Sequence, residues 1–379
     1  MLVLVMSVML AAAMVNMKNF RSVATRAYAR SLSVSATRTH SHTPTHTPVR
    51  LEPHTMKSLL DSTDIFIFDC DGVLWKGESL VMTVNGENSN CDCICCNGIS
   101  CINVLYLLFF RTGSERISRA HEVVRELKQA GKTVYFVTNN STRSRMYLQK
   151  KFTNLDIDAS YEEILNSSYA AALYLQQKGF GSEGCSKKVY VVGEVGVCDE
   201  LQMAGIEYIG GPTHNDEKVD LSLNEGMQID PLVGAVVAGL DTQINYHKIQ
   251  YAQLCINELQ CEFVATNTDA MAHLTSEQRW AGGGAVIGAL RGCTGREPVL
   301  VGKPSSFLIN HIFSKHSDIH PTRICMVGDR LNTDILFGLD HGLTTLLTLS
   351  GVTSEKELFS ECNEIIPHYF MKSIGDMLA

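Results

Sequence analysis

The stretch that decides the fold is Asp64-Ile-Phe-Ile-Phe-Asp-Cys-Asp-Gly-Val-Leu-Trp75. A short apolar run that ends in a carboxylate is typical of a buried strand in a parallel sheet. Residues two positions apart on an extended chain point the same way, so Asp69 and Asp71 can converge at the carboxyl edge of that sheet. Gly72 then lets the backbone turn away from the strand. We expect an acidic site here, and a plain Asp-Gly turn is the alternative.

The rest of the chain alternates apolar strands with helices. Further strands are predicted at residues 133–138, 188–193, 233–239, 262–266, 299–302, 323–328 and 344–350. Apolar residues between Ile117 and Leu127 recur at helical spacing, and Gly131 follows as a stop signal. This alternation predicts an α/β fold built on a parallel sheet.

Three more polar motifs follow predicted strands. They are Val137-Thr-Asn-Asn-Ser141, Val301-Gly-Lys-Pro-Ser305 and Met326-Val-Gly-Asp-Arg-Leu-Asn-Thr-Asp334. Thr138 and the amides after it form an uncharged cradle suited to an oxyanion, although an Asn-Asn-Ser run alone is more often a cap or turn. Lys303 lies between an apolar strand and a proline, which fixes its direction.

Four acids complete this set of motifs: Asp69, Asp71, Asp329 and Asp334. Neighbouring carboxylates repel one another unless a cation lies between them, and hard cations such as Mg²⁺ prefer oxygen ligands. With one lysine and one oxyanion cradle, the acids predict a site for metal-assisted phosphoryl transfer.

The four motifs, in this order, resemble those of the haloacid-dehalogenase superfamily of phosphatases. Asp69-Cys-Asp-Gly-Val-Leu-Trp75, Val137-Thr-Asn-Asn-Ser-Thr142, Gly302-Lys-Pro-Ser305 and Gly328-Asp-Arg-Leu-Asn-Thr-Asp-Ile335 are similar to the phosphoglycolate and pyridoxal-phosphate (4-nitrophenyl) phosphatase branch. Ala265-Thr-Asn-Thr-Asp269, Trp280-Ala-Gly-Gly-Gly-Ala285 and Arg296-Glu-Pro-Val-Leu-Val-Gly-Lys303 resemble plant and algal phosphoglycolate phosphatases. The resemblance implies a Rossmann-like parallel-sheet core with a large inserted α/β cap domain.

The resemblance also implies the catalytic roles and the metal ligands. Asp69 would attack phosphorus to give an aspartyl-phosphate, and Asp71 would protonate the leaving alkoxide and then take a proton from water. Mg²⁺ would be held by Asp69, by Asp71 (also through its backbone carbonyl) and by Asp329, while Asp334 would orient a ligated water or the active-site lysine. The family commonly has Asp where this chain has Asn332, but Asp329 and Asp334 are intact.

Substrate binding is implied for a further group of residues. Lys303 would neutralise charge on Asp69 and on the transferring phosphoryl group. Thr138 and Asn139 would donate hydrogen bonds to the phosphoryl oxygens, with Asn140 as their neighbour in the same cradle.

A whole domain is inserted between the second and third motifs. Thr138 and Lys303 are 165 residues apart, whereas one crossover takes about 30. We assign residues 57–178 and 299–379 to the catalytic core and residues 179–298 to the cap. In the resembling family the cap closes over the site, excludes water and supplies substrate contacts, and it often forms a homodimer.

The segment Gly239-Leu-Asp-Thr-Gln-Ile-Asn-Tyr246 is the expected specificity loop of the cap. Pyridoxal-phosphate phosphatases carry His where this chain has Gln243, which favours a small acid such as 2-phosphoglycolate as the substrate. A polar turn without a role in binding is the alternative.

Residues 1–56 are predicted to be a targeting segment. The first 51 residues hold six basic residues and no acid, whereas the whole chain carries a net charge of −8. This composition is typical of an organelle transit peptide, and a plastid is favoured over a mitochondrion. The apolar run at residues 1–15 is short for a membrane span, so we expect no membrane in the mature form. The acidic balance argues against a nucleic-acid partner.

Residues 81–114 do not fit the family pattern. Asp69 and Thr138 are 69 residues apart, more than a strand-helix-strand unit of roughly 30 residues needs. The surplus contains Cys91, Cys93, Cys95, Cys96 and Cys101, but their spacing lacks the two-residue gaps of a zinc site. We interpret the segment as a translated intron, and a genuine lid element is the alternative.

The sequence therefore predicts a Mg²⁺-dependent phosphatase that acts on a small phosphate ester and hydrolyses 2-phosphoglycolate to glycolate and phosphate. Pyridoxal-phosphate or broad (4-nitrophenyl) specificity is one alternative. A catalytically inactive relative that only binds is another, and the intact acids argue against it.

Overall fold

The computed structural model describes residues 47–82, 110–223, 225–272, 274–275 and 278–378. The predicted targeting segment up to residue 46 and the five clustered cysteines lie outside the described residues. The strands are β1 (Val49–Arg50), β2 (Ile65–Phe68), β3 (Trp75–Met82), β4 (Phe110–Arg116), β5 (Thr133–Thr138), β6 (Ile164–Asn166), β7 (Lys188–Val192), β8 (Tyr208–Gly210), β9 (Val233–Ala238), β10 (Glu262–Ala265), β11 (Met271–Ala272), β12 (Trp280–Ala281), β13 (Val299–Leu300), β14 (Ile324–Gly328), β15 (Thr344–Thr348) and β16 (Tyr369–Met371). The helices are α1 (Pro53–Ser62), α2 (Ala120–Gln129), α3 (Arg145–Asn154), α4 (Ser167–Gln177), α5 (Val195–Met203), α6 (Tyr246–Asn257), α7 (Gly283–Thr294), α8 (Phe307–Lys315), α9 (Leu336–Asp340) and α10 (Glu355–Leu358).

The catalytic core is a parallel sheet of seven strands in the order β1-β16-β15-β14-β2-β5-β6. Every residue of β2 is fully buried, as its uninterrupted apolar sequence predicts for a strand covered on both faces. Because β2 lies between β14 and β5, the carboxyl ends of these three strands lie next to one another. This order brings three of the four sequence motifs to one edge of the sheet.

The cap contains a second parallel sheet, with the strand order β13-β10-β9-β7-β8. The predicted cap boundary at residue 298 comes one residue before β13, which belongs to this sheet because Val299 and Leu300 pair with Val264 and Ala265. The apolar strand that precedes Lys303 was assigned to the core from the sequence. The structure corrects this assignment, because Lys303 follows a strand of the cap sheet.

The amino-terminal boundary of the core also needs correction. Residues 49–56 were assigned to the targeting segment, but β1 pairs with β16 at the edge of the core sheet. Helix α1 begins at Pro53, and Met56 is buried in the core. The folded core therefore begins by residue 49, because backbone pairing and apolar burial both extend to that point.

A β-hairpin formed by β3 and β4 follows the first motif. Leu80, Val81 and Met82 pair with Thr112, Arg111 and Phe110, so both ends of the anomalous segment 81–114 belong to this ladder. Residues 83–109 lie outside the described residues, and their origin as an intron stays a prediction. The sequence did not indicate this hairpin, because Lys76, Gly77 and Glu78 interrupt any apolar alternation.

Helix α2 shows how local sequence shapes the core. Ala120, Val123, Val124 and Leu127 are buried on its inner face, as their helical spacing predicts. The helix begins three residues later than Ile117, because Arg119 adopts a left-handed φ of 62° that cannot continue a helix.

The core and cap are joined by a buried ion pair. Arg145 at the start of α3 contacts Glu200 of α5, with 3.0 Å between Nη2 and Oε2. Glu200 is fully buried, and the guanidinium of Arg145 also lies 3.4 Å from the ring centroid of Tyr169.

Within the part of the chain that the structure describes, no helix has the length and apolar composition needed to cross a membrane.

Candidate active site

Three buried carboxylates meet at the carboxyl edge of the core sheet. Asp69 follows β2, Asp329 follows β14, and Asp334 lies one helical turn further along the chain. One oxygen of each carboxyl group lies within 4.8 Å of the others. The strand order explains this proximity, because β2 and β14 are hydrogen-bonded neighbours.

Lys303 is the cation of this cluster, and its side chain is buried. Its Nζ donates hydrogen bonds to Asp69 Oδ1 at 2.6 Å, to Asp334 Oδ1 at 2.7 Å and to the Val137 carbonyl at 2.7 Å. Burial lowers the pKa of Lys303, but the carboxylates of Asp334 and Asp69 outweigh that effect and raise its pKa overall. The lysine is therefore charged, and all three of its ammonium donors are used.

Asn139 holds the backbone on both sides of this lysine. Its Oδ1 accepts a hydrogen bond from the Lys303 N–H at 2.8 Å, and its Nδ2 donates to the Lys303 carbonyl at 3.0 Å and to Asp269 Oδ1 at 3.2 Å. The side chain of Asn140 accepts from the N–H and the hydroxyl of Thr142, both at 2.9 Å. Both amide side chains are thus engaged within the protein, and their predicted contacts to a phosphoryl group stay predictions.

A small cavity opens above the carboxylates, with a volume of about 100 Å³. The core contributes Asp69, Asp71, Thr138, Asn139, Asn140 and Lys303 to its lining, while the cap contributes residues such as Leu240 and Met271. Arg330, Thr333 and Asp334 also line it, so the structure brings residues of all four motifs to one cavity.

Asp71 lies beside the carboxylate cluster rather than within it. Its Oδ1 accepts a hydrogen bond from Trp75 Nε1 at 2.8 Å, and the residue is half-buried. The side chains that gather around a common point are those of Asp69, Asp329 and Asp334. The carboxylate of Asp71 is thus separate from that group, and its predicted roles in metal binding and in proton transfer stay predictions.

The carboxylate cluster fits a hard divalent cation. Asp329 Oδ1 is buried, and among the described residues it has no hydrogen-bond partner, whereas Oδ2 accepts from the Val352 N–H at 2.7 Å. Burial, followed by Asp334 and Asp69, raises the pKa of Asp329 well above its usual value. Burial also raises the pKa of Asp69 to about 7, although Lys303 opposes the rise. The cluster is short of positive charge, and an unpaired carboxylate oxygen is a ligand that such a cation prefers.

Asp334 supports this arrangement from the side. Its Oδ2 accepts from the backbone N–H groups of Asp329 and Arg330, both at 3.1 Å, while its other oxygen pairs with Lys303. Gly72 allows the first motif to approach the cluster, because its φ is +90° and a Cβ there would lie 2.3 Å from Asp329 Oδ2.

Gln243 lies outside the cavity. It is exposed, and its backbone N–H donates to Asp241 Oδ1 at 2.9 Å. Leu240 is the member of the predicted specificity loop that lines the cavity. A substrate contact from Gln243 stays a prediction, and within this chain the structure does not bring that residue to the other site residues.

Several further residues line the cavity without a role assigned from the sequence, among them Ser141, Asp269 and Arg330. Ser141 Oγ is buried, and it has no hydrogen-bond partner in the described part of the chain. Arg330 lies in the motif that contains Asp329, and Asp269 is the last residue of the segment Ala265–Asp269. Their positions in these two segments were the indications that the sequence offered. Their function could not be derived because it depends on contacts across the core and cap.

Comparison with known proteins identifies the family. A family model described as haloacid dehalogenase-like hydrolase matches residues 101–207, and a HAD-hydrolase-like model matches residues 300–377. Phosphoglycolate phosphatase 1A, chloroplastic, from Arabidopsis thaliana is 45% identical over 85% of this chain and 78% of its own length. Chronophin from Rattus norvegicus is 33% identical over 87% of this chain and 91% of its own length.

A solved structure supports the same assignment. The p-nitrophenyl phosphatase from Archaeoglobus fulgidus superposes with a TM-score of 0.61 at 27% identity, covering 83% of this chain and 98% of the other. Two family models, extended sequence identity and a shared architecture agree with the geometry of the site. The chain belongs to the haloacid dehalogenase-like hydrolase family.

Proposed function

We propose that this protein is a Mg²⁺-dependent phosphatase that hydrolyses 2-phosphoglycolate to glycolate and phosphate. The observation that carries the proposal is the position of Asp69, which lines a small cavity, contacts Lys303 and lies within a cluster of three buried carboxylates. The plant relative, which is named as a phosphoglycolate phosphatase, supports the choice of substrate.

The chemistry follows from the arrangement of these residues. A cation held by Asp69, Asp71 and Asp329, with Asp334 fixing Lys303 and the backbone beside Asp329, would offset the charge of the phosphoryl group and of the nucleophile. Asp69 attacks phosphorus while the ester bond to the alkoxide breaks, and Asp71 gives its proton to that alkoxide. Asp71 then accepts a proton from water, whose oxygen attacks the aspartyl-phosphate and releases phosphate with Asp69 restored.

Lys303 and Thr138 act on the transferring group. Lys303 stays charged between two carboxylates and offsets negative charge that builds up beside Asp69. The hydroxyl of Thr138 accepts a hydrogen bond from the Asn140 N–H at 3.1 Å, and its own proton can be donated to a phosphoryl oxygen.

The size of the cavity supports a small ester. A volume of about 100 Å³ equals the liquid volume of roughly three water molecules, because each takes up about 30 Å³. The two-carbon acid of 2-phosphoglycolate is much smaller than the substituted pyridine ring of pyridoxal phosphate. We therefore place 2-phosphoglycolate ahead of pyridoxal phosphate.

The test is a panel of esters assayed with and without Mg²⁺: 2-phosphoglycolate, pyridoxal phosphate and 4-nitrophenyl phosphate. We expect the highest kcat/KM with 2-phosphoglycolate and loss of turnover after chelation. The Asp69→Asn variant should be inactive, while the control Asp61→Asn, on the exposed face of α1, should match the wild type. A higher kcat/KM with another ester would reject the substrate assignment.

Broad specificity is the second candidate function. The solved relative from Archaeoglobus fulgidus is named as a p-nitrophenyl phosphatase, and it shares the fold over most of both chains. Comparable kcat/KM values across the panel would favour this candidate over a dedicated phosphoglycolate phosphatase.

We also propose that the protein is located in plastids. The Arabidopsis relative is named as chloroplastic, and the basic, acid-free composition of the first 51 residues is typical of a transit peptide. Residues 1–46 fused to a fluorescent protein should direct it to plastids, and mitochondrial fluorescence would contradict the proposal.

A homodimer formed through the cap is a separate proposal. The cap exposes large apolar side chains, including those of Ile244, Tyr246 and Trp280, which are candidates for burial against a second copy. Sedimentation velocity of the purified protein should give the mass of two chains, and a single-chain mass would reject the dimer.

A further inference from the structure

Arg330 and Lys303 are the two cationic side chains among the described residues that line the active-site cavity. The three donors of Lys303 are all used by Asp69, Asp334 and the Val137 carbonyl. The lysine therefore has no donor left for a second anionic group on a substrate.

Arg330 keeps most of its hydrogen-bonding capacity. A guanidinium has five N–H donors, and the side chain makes one hydrogen bond within the described structure, from Nη1 to the Met271 carbonyl at 3.2 Å. In the same described residues it forms no ion pair within 4.0 Å. A half-buried guanidinium beside a cavity, with several unused donors, is suited to binding an anion.

The position of Arg330 separates it from the phosphoryl end of the cavity. It follows Asp329 on the core, and it contacts Met271 in the cap hairpin formed by β11 and β12. The phosphoryl group lies against Asp69 in the proposed reaction, so the leaving group extends toward the cap. Arg330 bridges the core and that part of the cap, where the leaving group must lie.

The guanidinium of Arg330 is charged at physiological pH, and the neighbouring carboxylates do not take up its donors. Asp269 accepts hydrogen bonds from Asn139 Nδ2 rather than from the guanidinium. The guanidinium is thus held by its surroundings while its donors stay open to a ligand.

We propose that Arg330 binds the carboxylate of the substrate and so selects 2-phosphoglycolate over esters that lack an acid group. This inference rests on the proposed function, since it assigns the second anionic group of that substrate. The planar fork of a guanidinium can donate two parallel hydrogen bonds to one carboxylate, which a lysine cannot do.

The test compares two substrates of similar shape. Ethyl phosphate has a methyl group where 2-phosphoglycolate has its carboxylate, and both are cleaved by the same chemistry. We expect Arg330→Gln to lower kcat/KM for 2-phosphoglycolate about 100-fold more than for ethyl phosphate, mainly through KM. Arg330→Lys should recover part of that difference, because it restores the charge without the fork.

A control variant separates binding from general damage. Arg125→Gln, on the exposed side of α2, should leave both kcat/KM values at the wild-type level. If Arg330→Gln does not fold by circular dichroism, the comparison is made with Arg330→Lys, for which we expect about a tenfold difference between the substrates.

Two results would overturn the inference, and they can be told apart. Equal losses on both substrates, in a variant of an enzyme that hydrolyses 2-phosphoglycolate, would show that Arg330 supports the hairpin or the phosphoryl group instead. A wild-type enzyme that hydrolyses ethyl phosphate but not 2-phosphoglycolate would reject the proposed function itself, and the inference with it.

Discussion

The Lys303→Met substitution should destabilise the metal-free protein by about 3–5 kcal/mol. Lys303 is 2% exposed and contacts two buried carboxylates, so removing its charge leaves Asp69 and Asp334 without their cation. Methionine keeps an unbranched stem, so little packing volume is lost. Each unsatisfied buried group costs about 1–3 kcal/mol, and protonation of a carboxylate limits the sum, which gives the stated range.

The measurement is urea unfolding in the presence of a chelator, followed by circular dichroism, and repeated with excess Mg²⁺. A bound cation stabilises the folded state by mass action, and the variant should gain more free energy of unfolding from Mg²⁺ than the wild type. Lys315→Met, at the exposed end of α8, is the matched control and should change stability by less than about 0.5 kcal/mol.

A loss below about 1 kcal/mol for Lys303→Met would refute this reasoning. It would mean that Asp69 and Asp334 are protonated in the metal-free protein, so that neither carries a charge that Lys303 has to balance. If the variant loses the expected free energy of unfolding but gains no more from Mg²⁺ than the wild type does, Lys303 and the metal do not balance the same carboxylates.

Four other outcomes are expected. Asp69→Asn should abolish turnover without unfolding the protein, because an amide cannot attack phosphorus, and activity within tenfold of the wild type would contradict the assignment. Asn332→Asp should change Mg²⁺ dependence little, because the residue is exposed and outside the carboxylate cluster; a large gain in metal affinity would place it among the ligands. The pKa of Asp69 is raised to about 7, so the folded state binds its proton more tightly than the unfolded chain, and the metal-free protein should lose stability as pH rises from about 4 to about 7. The increase in Tm caused by Mg²⁺ should grow over the same range, and a constant increase would contradict the pKa shift. The structure changes the deletion to be tested from residues 81–114 to residues 83–109, which keeps the paired ends of β3 and β4. The shortened protein should be more soluble, with at least the same kcat. A lower kcat would identify the removed segment as a lid element.

The sequence predicted the elements whose signals are local. The strand at β5 was placed at its observed bounds, and the runs that form β2 and β14 were placed within one residue at each end, because buried parallel strands are continuous apolar segments. Polar residues directly after such strands indicated where the site would form. The long separation between Thr138 and Lys303 indicated an inserted domain, which corresponds to the second sheet.

The tertiary structure decided which of these residues meet and what each one contacts. The origin of the lysine strand could not be read from the sequence, because Val299 and Leu300 are apolar in either sheet and their partner strand is about 35 residues away. The engagement of Asn139 with the backbone of Lys303 and the open donors of Arg330 also depend on contacts between distant segments. The periodicity of apolar residues shows whether a segment is buried. The strand with which it pairs, the register of that pairing and the hydrogen bonds that its polar groups make are set only when the core and the cap pack together.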